Sequence, residues 1–361
     1  MRRLLFVALR KVARPGWLQR AKTTGGATMA PDDVRRIDHI RDSALQMKIG
    51  DDSSGAARKM IEINGLLHVV SDNSIFMVKL ADHIDPGRTN ESVPNTNQKV
   101  LSRGAEDVAV CRVLLTADSL FKNQYLSVEI EDSIAVDRAF CLLRHIVSMQ
   151  DMAFEVMGII SNVAEKIQVE ISADRSAVMP TAEDAIVRFD AFAQKAGHAV
   201  ESMKTIAKIF YPDLSGKWMD DLGRKASENG PVAEFVEKFG ESILFIKEIR
   251  NMLEHPREDR KIICEDFSLD ADLRLSKPSV VIVENGERSC YDMCEFMGGV
   301  LNTFLETVDV FMAVLCGEHI KNEKGFPVSV VRFGEGMNGA GNLHQRYGLG
   351  ITIGGQVCAI S

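Results

Sequence analysis

The sequence predicts a mainly α protein: an antiparallel helical bundle with a small inserted β-hairpin and a short β-like C-terminal tail. Three observations carry this prediction. Apolar residues recur in steps of three and four at positions 139, 143, 146, 149, 153, 156, 160, 163 and 167, and again from Ala182 through Phe189, Ala196 and Met203 to Phe210. That spacing keeps one face of a helix apolar. The prolines fall between these stripes rather than inside them, as at Tyr211-Pro212 and Gly230-Pro231. The strongest alternating stretch is Val280–Glu284, followed by Asn285-Gly286, a pair that tolerates the positive φ angles of a tight hairpin.

The chain has 361 residues, 45% of them hydrophobic and 26% charged, enough to bury the core of one large or two modest domains. No apolar run approaches the roughly 18 to 20 residues that span a bilayer, so no membrane segment is expected. The seven cysteines are odd in number and widely spread, which reads as reduced thiols in a cytoplasmic protein. Cys290 and Cys294 have no second Cys/His pair nearby, so neither a metal site nor a cofactor is expected. Net charge is −8, yet residues 1–31 carry seven lysines and arginines and no acid, which leaves −15 on the remainder. A broad basic face for duplex nucleic acid is therefore excluded, and any nucleic-acid contact must be a local cleft.

In order, residues 1–31 form a basic leader, read as disordered or as an upstream start before Met29, with an organelle-type leader or a working basic arm as alternatives. Residues 32–84 read as N-terminal helices, over 32–48 and 55–83, and the Pro/Gly/Asn-rich stretch 85–97 as a loop and domain boundary. The bundle occupies 98–320, with helices over Val100–Phe121, Ile134–Ile167, a long one capped by Thr181, Trp218–Ala226, the Gly230–Arg257 segment and Tyr291–His319. A β insertion lies at 262–290. The glycine-rich tail, 321–361, reads as strands over Val328–Phe333 and Leu349–Ile353. Its Gly334-Glu-Gly336-Met-Asn-Gly339 matches a dinucleotide fingerprint formally, but no long helix follows, so it reads as turns.

The Gly230–Arg257 segment organises the rest. Proline sits at its first helical position and Pro256 closes it. Its apolar positions, Phe239, Ile243, Ile246 and Leu253, skip position 250, which is an arginine; a guanidinium on an apolar stripe needs an acceptor or a wet cleft. Five residues on stands His255.

Arg250-Asn251, three spacers and His255 resemble the signature of HEPN domains (higher eukaryotes and prokaryotes nucleotide-binding), all-helical modules that include metal-independent endoribonucleases. The resemblance covers residues 130–320. It implies that Arg250 and His255 are catalytic, that the polar Asn251 orients phosphate, and that the module pairs as a homodimer whose two motifs face one cleft. It also implies RNA as substrate, a possible antitoxin protein as partner, and a place in defence or toxin-antitoxin biology. Cleavage without a metal uses the neighbouring 2'-hydroxyl as nucleophile. His255 suits proton transfer, and its place at a helix C-terminus favours the protonated form; Arg250 suits the phosphorane charge, with Arg257 in a basic cluster beside it. On one ideal helix, residues 250 and 255 lie about 140° apart, so a bend or a second copy is needed to bring them together. The alternatives are a non-catalytic RNA- or nucleotide-binding or protein-interaction module, and a structural role in which Arg250 pairs with Glu254 four residues on while His255 caps the last carbonyls.

Overall fold

The computed structural model describes residues 35–43, 47–166, 172–321, 327–333, 344–353 and 356–360. The chain divides into two compact units, residues 1–61 with 66–102, and residues 62–65 with 103–361. The basic leader, the Gly334–Gly339 stretch and Ile167 lie outside the described residues.

The expectation of a bundle with one small hairpin is overturned: the protein is about 51% helix and 21% strand, with the strands in four separate sheets of two to four. The first unit shows why. After helix α1 (Arg36–Ser43), the residues read as a helix over 55–83 are instead strands β1 (Ala57–Ile63), β2 (Leu66–Ser71) and β3 (Ile75–Lys79), joined by β4 (Thr96–Leu101) in the order β1-β2-β3-β4. One turn of helix, α2 (Ala81–Ile84), follows β3. The local chemistry favours strand: β2 and β3 are rich in Val, Ile and Phe, and Asn64-Gly65 adopts φ of 49° and 73°, the positive values of a tight hairpin turn. Leu67, Val69 and Val78 form a small core, with Met47, Ile49, Met60 and Leu80 packed on it.

In the second unit, the helix expected over Val100–Phe121 is shorter, because residues to Leu101 belong to β4; a π-helical stretch, Val110–Leu115, runs into α3 (Thr116–Leu120). Then come α4 (Asp132–Lys166), α5 (Glu183–Phe210), α6 (Trp218–Lys225), α7 (Pro231–Glu254) and α8 (Met293–Glu318). Helices α4 and α5 run antiparallel: Arg138 donates to the Thr205 carbonyl, His145 meets His198, and Arg188 pairs with Glu155. Thr181 does not cap α5. The N-cap is Ala182, and both the Thr181 hydroxyl (2.8 Å) and the Ala182 N–H (2.9 Å) donate to the carboxylate of Asp266, contributed from the β region.

The β insertion is larger than one hairpin. β5 (Arg260–Glu265), β8 (Ser279–Glu284) and β9 (Glu287–Asp292) form an antiparallel sheet, and β6 (Ser268–Leu269) pairs β7 (Leu275–Ser276) in a separate short ladder. The β8–β9 turn is Asn285-Gly286, with φ of 53° and 86°. In the tail, β10 (Val328–Arg332), β11 (Tyr347–Ile353) and β12 (Gln356–Ile360) make a third antiparallel sheet in this unit.

Helix α8 corrects the expectation that no segment is apolar enough to span a bilayer: by length and composition it is. Its most apolar window is 56% buried within the protein, and Met297, Phe304, Phe311 and Leu315 are fully buried. It packs against α3, α4, α5 and α7, and a helix covered on several sides has little call for a polar face.

Candidate functional site

Helix α7 begins at N-cap Gly230 with Pro231 at its first position and ends at His255, whose N–H donates to the Asn251 carbonyl at 2.9 Å. Its buried stripe is Val232, Phe235, Ile243, Ile246, Ile249 and Met252. The inward position near the end is thus Ile249 rather than 250, and Arg250 does not interrupt the apolar face. It sits on the flank, its side chain 37% exposed.

The aliphatic stem of Arg250 crosses α5 at Gly197, where an added Cβ would stand 3.0 Å from the arginine Cδ. One turn earlier, Lys247 pairs with Glu201 of α5 at 2.7 Å, so α5 and α7 also run antiparallel. The Arg250 Nε donates to Glu254 at 2.9 Å. This bond raises the arginine's pKa; it also lowers that of Glu254, with the charges of His255 and His198 acting in the same direction. Glu254 is therefore a carboxylate in the field of one guanidinium and two imidazoles.

The other sequence-derived residues are placed differently. Asn251 donates to Glu248 (3.1 Å), whose second oxygen accepts from Arg260 of β5 (3.0 Å), so Asn251 belongs to the α7–β5 joint rather than to the Arg250 guanidinium. His255 is exposed at the helix end. Arg257 is exposed beyond Pro256; its backbone pairs with that of Arg260 in a tight return to β5, and its side chain makes no hydrogen bond or ion pair among the described residues.

Sequence reasoning missed the histidine pair on the neighbouring helices. The rings of His145 (α4) and His198 (α5) lie 5.5 Å apart, tilted by 51°. Burial lowers the His145 pKa to about 4, and the nearby charges of His198, Lys195 and Arg144 push it the same way. Each histidine stands alone in its own helix, 53 residues from the other, so only the antiparallel register reveals them as a pair. Among the described residues no group of three or more His, Cys, Asp or Glu has metal-binding geometry. All seven cysteines are free thiols, with Cys290 exposed on β9 and Cys294 half-buried on α8.

The arrangement sets a guanidinium, a carboxylate and an imidazole together at an exposed helix end, residue types able to bind an anion and to exchange protons. Comparison with protein-family models, curated proteins and solved structures finds no match to this chain.

Proposed function

We propose that the end of α7, with the facing turn of α5, is an RNA-binding and metal-independent RNA-cleaving site of HEPN-like type. The observation that carries it is the cluster around Glu254: Arg250 bonded to it, with His255 of the same helix end and His198 of α5 near enough for their charges to act on it. In this reading Arg250 binds the scissile phosphate and stabilises its developing charge; His255 accepts the 2'-hydroxyl proton as that oxygen bonds phosphorus, and as the bond from phosphorus to the 5'-oxygen breaks, the 5'-oxygen leaves with a proton returned by the imidazolium or by water. Glu254 holds Arg250 in place until phosphate competes for the guanidinium. Arg257, with its cation uncommitted, contacts flanking phosphate. A homodimer would set two such helix ends across one cleft, which resolves the angular separation of Arg250 and His255 on a single helix.

Purified protein should cleave single-stranded RNA in EDTA and leave 2',3'-cyclic phosphate ends. His255→Ala should slow this by about 10²–10⁴-fold, the range for removing one acid–base group, with thermal stability unchanged because the ring is exposed. The second reading, a structural joint or non-catalytic binding module, draws on the satisfied Arg250–Glu254 and Asn251–Glu248–Arg260 bonds. It prevails if wild type and His255→Ala are equally inert on varied RNAs.

A further inference from the structure

Arg144 on α4 and Lys195 on α5 make no hydrogen bond or ion pair among the described residues. Other cations around these helices are committed: Arg138 bonds the Thr205 carbonyl, Arg188 pairs with Glu155, and Lys204 of α5 and Lys247 of α7 share Glu201. In a chain of net charge −8, two uncommitted cations flanking a pair of imidazoles are a local exception. Two acids near this face are engaged, Glu201 by the two lysines and Glu254 by Arg250. Gly197 lets α7 approach α5 so closely that Arg250 lies beside the position preceding His198. Along the α5 axis, Lys195, His198 and the Gly197 contact with Arg250 fall within about a turn, roughly 5 Å of rise; Lys195 and His198 stand about 60° apart round the helix, and Gly197 about 100° beyond His198.

We propose that Arg144, His145, Lys195 and His198 form a phosphate-binding track that leads single-stranded RNA onto the Arg250–His255 end of α7. This rests on the RNA reading of that end. The two cations neutralise backbone phosphates next to the scissile one. Exposed His198, backed by the His145 ring, offers a face on which a base stacks, the usual way proteins hold unpaired nucleotides. A membrane surface would ask for a wider basic face than these few groups supply.

The decisive measurement is fluorescence anisotropy with a 2'-O-methyl oligonucleotide, which cannot be cleaved, in EDTA over a range of salt. Arg144→Glu/Lys195→Glu should weaken binding at least tenfold and flatten the slope of log K against log salt by about 1 to 2, as expected for losing two phosphate contacts to a single strand. Arg274→Glu/Lys277→Glu, an equal charge change between β6 and β8, should leave binding as it was. By NMR, oligonucleotide binding should raise the His145 pKa from about 4, because phosphate offsets the surrounding positive charge. Should the Arg144/Lys195 reversal bind like wild type while cleavage persists, the track is wrong and the α7 site stands. Binding through these residues without any cleavage supports the track and rejects catalysis. Wild type that neither binds nor cleaves RNA, or that binds only anionic vesicles or acidic peptides, overturns both.

Discussion

Gly197 and Arg250 touch across the α5–α7 interface: a methyl group on the glycine would meet the arginine Cδ at 3.0 Å. The contact is with a flexible stem, so the arginine can give way. Gly197→Ala should therefore be nearly neutral in stability, the better helix propensity of alanine (about 0.5–1 kcal/mol) offsetting the crowding. It should nonetheless lower RNA cleavage at least tenfold by displacing the guanidinium. Cleavage equal to wild type in this variant would show that the position of Arg250 does not matter.

Arg250→Ala tests the same residue directly. Because Ile249 and Met252 form the buried stripe and Arg250 is on the flank, the variant should fold, with a midpoint of thermal unfolding within a few degrees of wild type. A large loss of stability would mean that the arginine belongs to the core.

His145 makes stability depend on pH. Its folded pKa, about 4, lies below its ordinary value of 6.5, so between these values the unfolded chain binds more protons. Stability should fall as pH drops from 6.5 toward 4, and His319, lowered by burial, adds to the same trend. In His145→Gln the dependence should be shallower in urea unfolding across this range; an unchanged slope would remove His145 as a cause.

Asp266 caps α5 from the loop between β5 and β6, accepting from Thr181, from Ala182 and from its own neighbour Phe267. Asp266→Ala should cost about 0.5–2 kcal/mol, the range for losing an N-cap. Urea unfolding that shows no loss would contradict the cap.

Asp309 of α8 is fully buried, and Arg346 holds both its oxygens at 2.6 and 2.7 Å while also reaching Glu306. Arg346→Ala leaves that carboxylate buried without its cation, and should cost about 3–5 kcal/mol. Arg346→Lys should recover only part, since an ammonium cannot grip both oxygens in the guanidinium's planar fork. Equal stability of Arg346→Ala and wild type would show the pair to be dispensable.

The long helices of the second unit were legible in the sequence, because a three-and-four repeat is a property of consecutive residues. α4 falls at Asp132–Lys166 and α5 at Glu183–Phe210, and α7 begins and ends at its expected proline and histidine. Asn285-Gly286 likewise announced its own turn. Asn64-Gly65 carries the same signal between β1 and β2, but the residues around it were read with helical period; strand won there because Val, Ile and Phe bury well on a pleated surface once neighbouring strands cover them.

What the sequence determined by itself is therefore local: where the long helices of the second unit run, where Asn285-Gly286 reverses the chain, and that Arg250 and His255 stand near one helix end. Tertiary structure alone decided that Ile249 rather than position 250 faces inward, that Asp266 and not Thr181 closes the start of α5, and that His145 meets His198. Each of these depends on residues far apart in the chain meeting across packed helices and strands, and no short-range pattern encodes such a register.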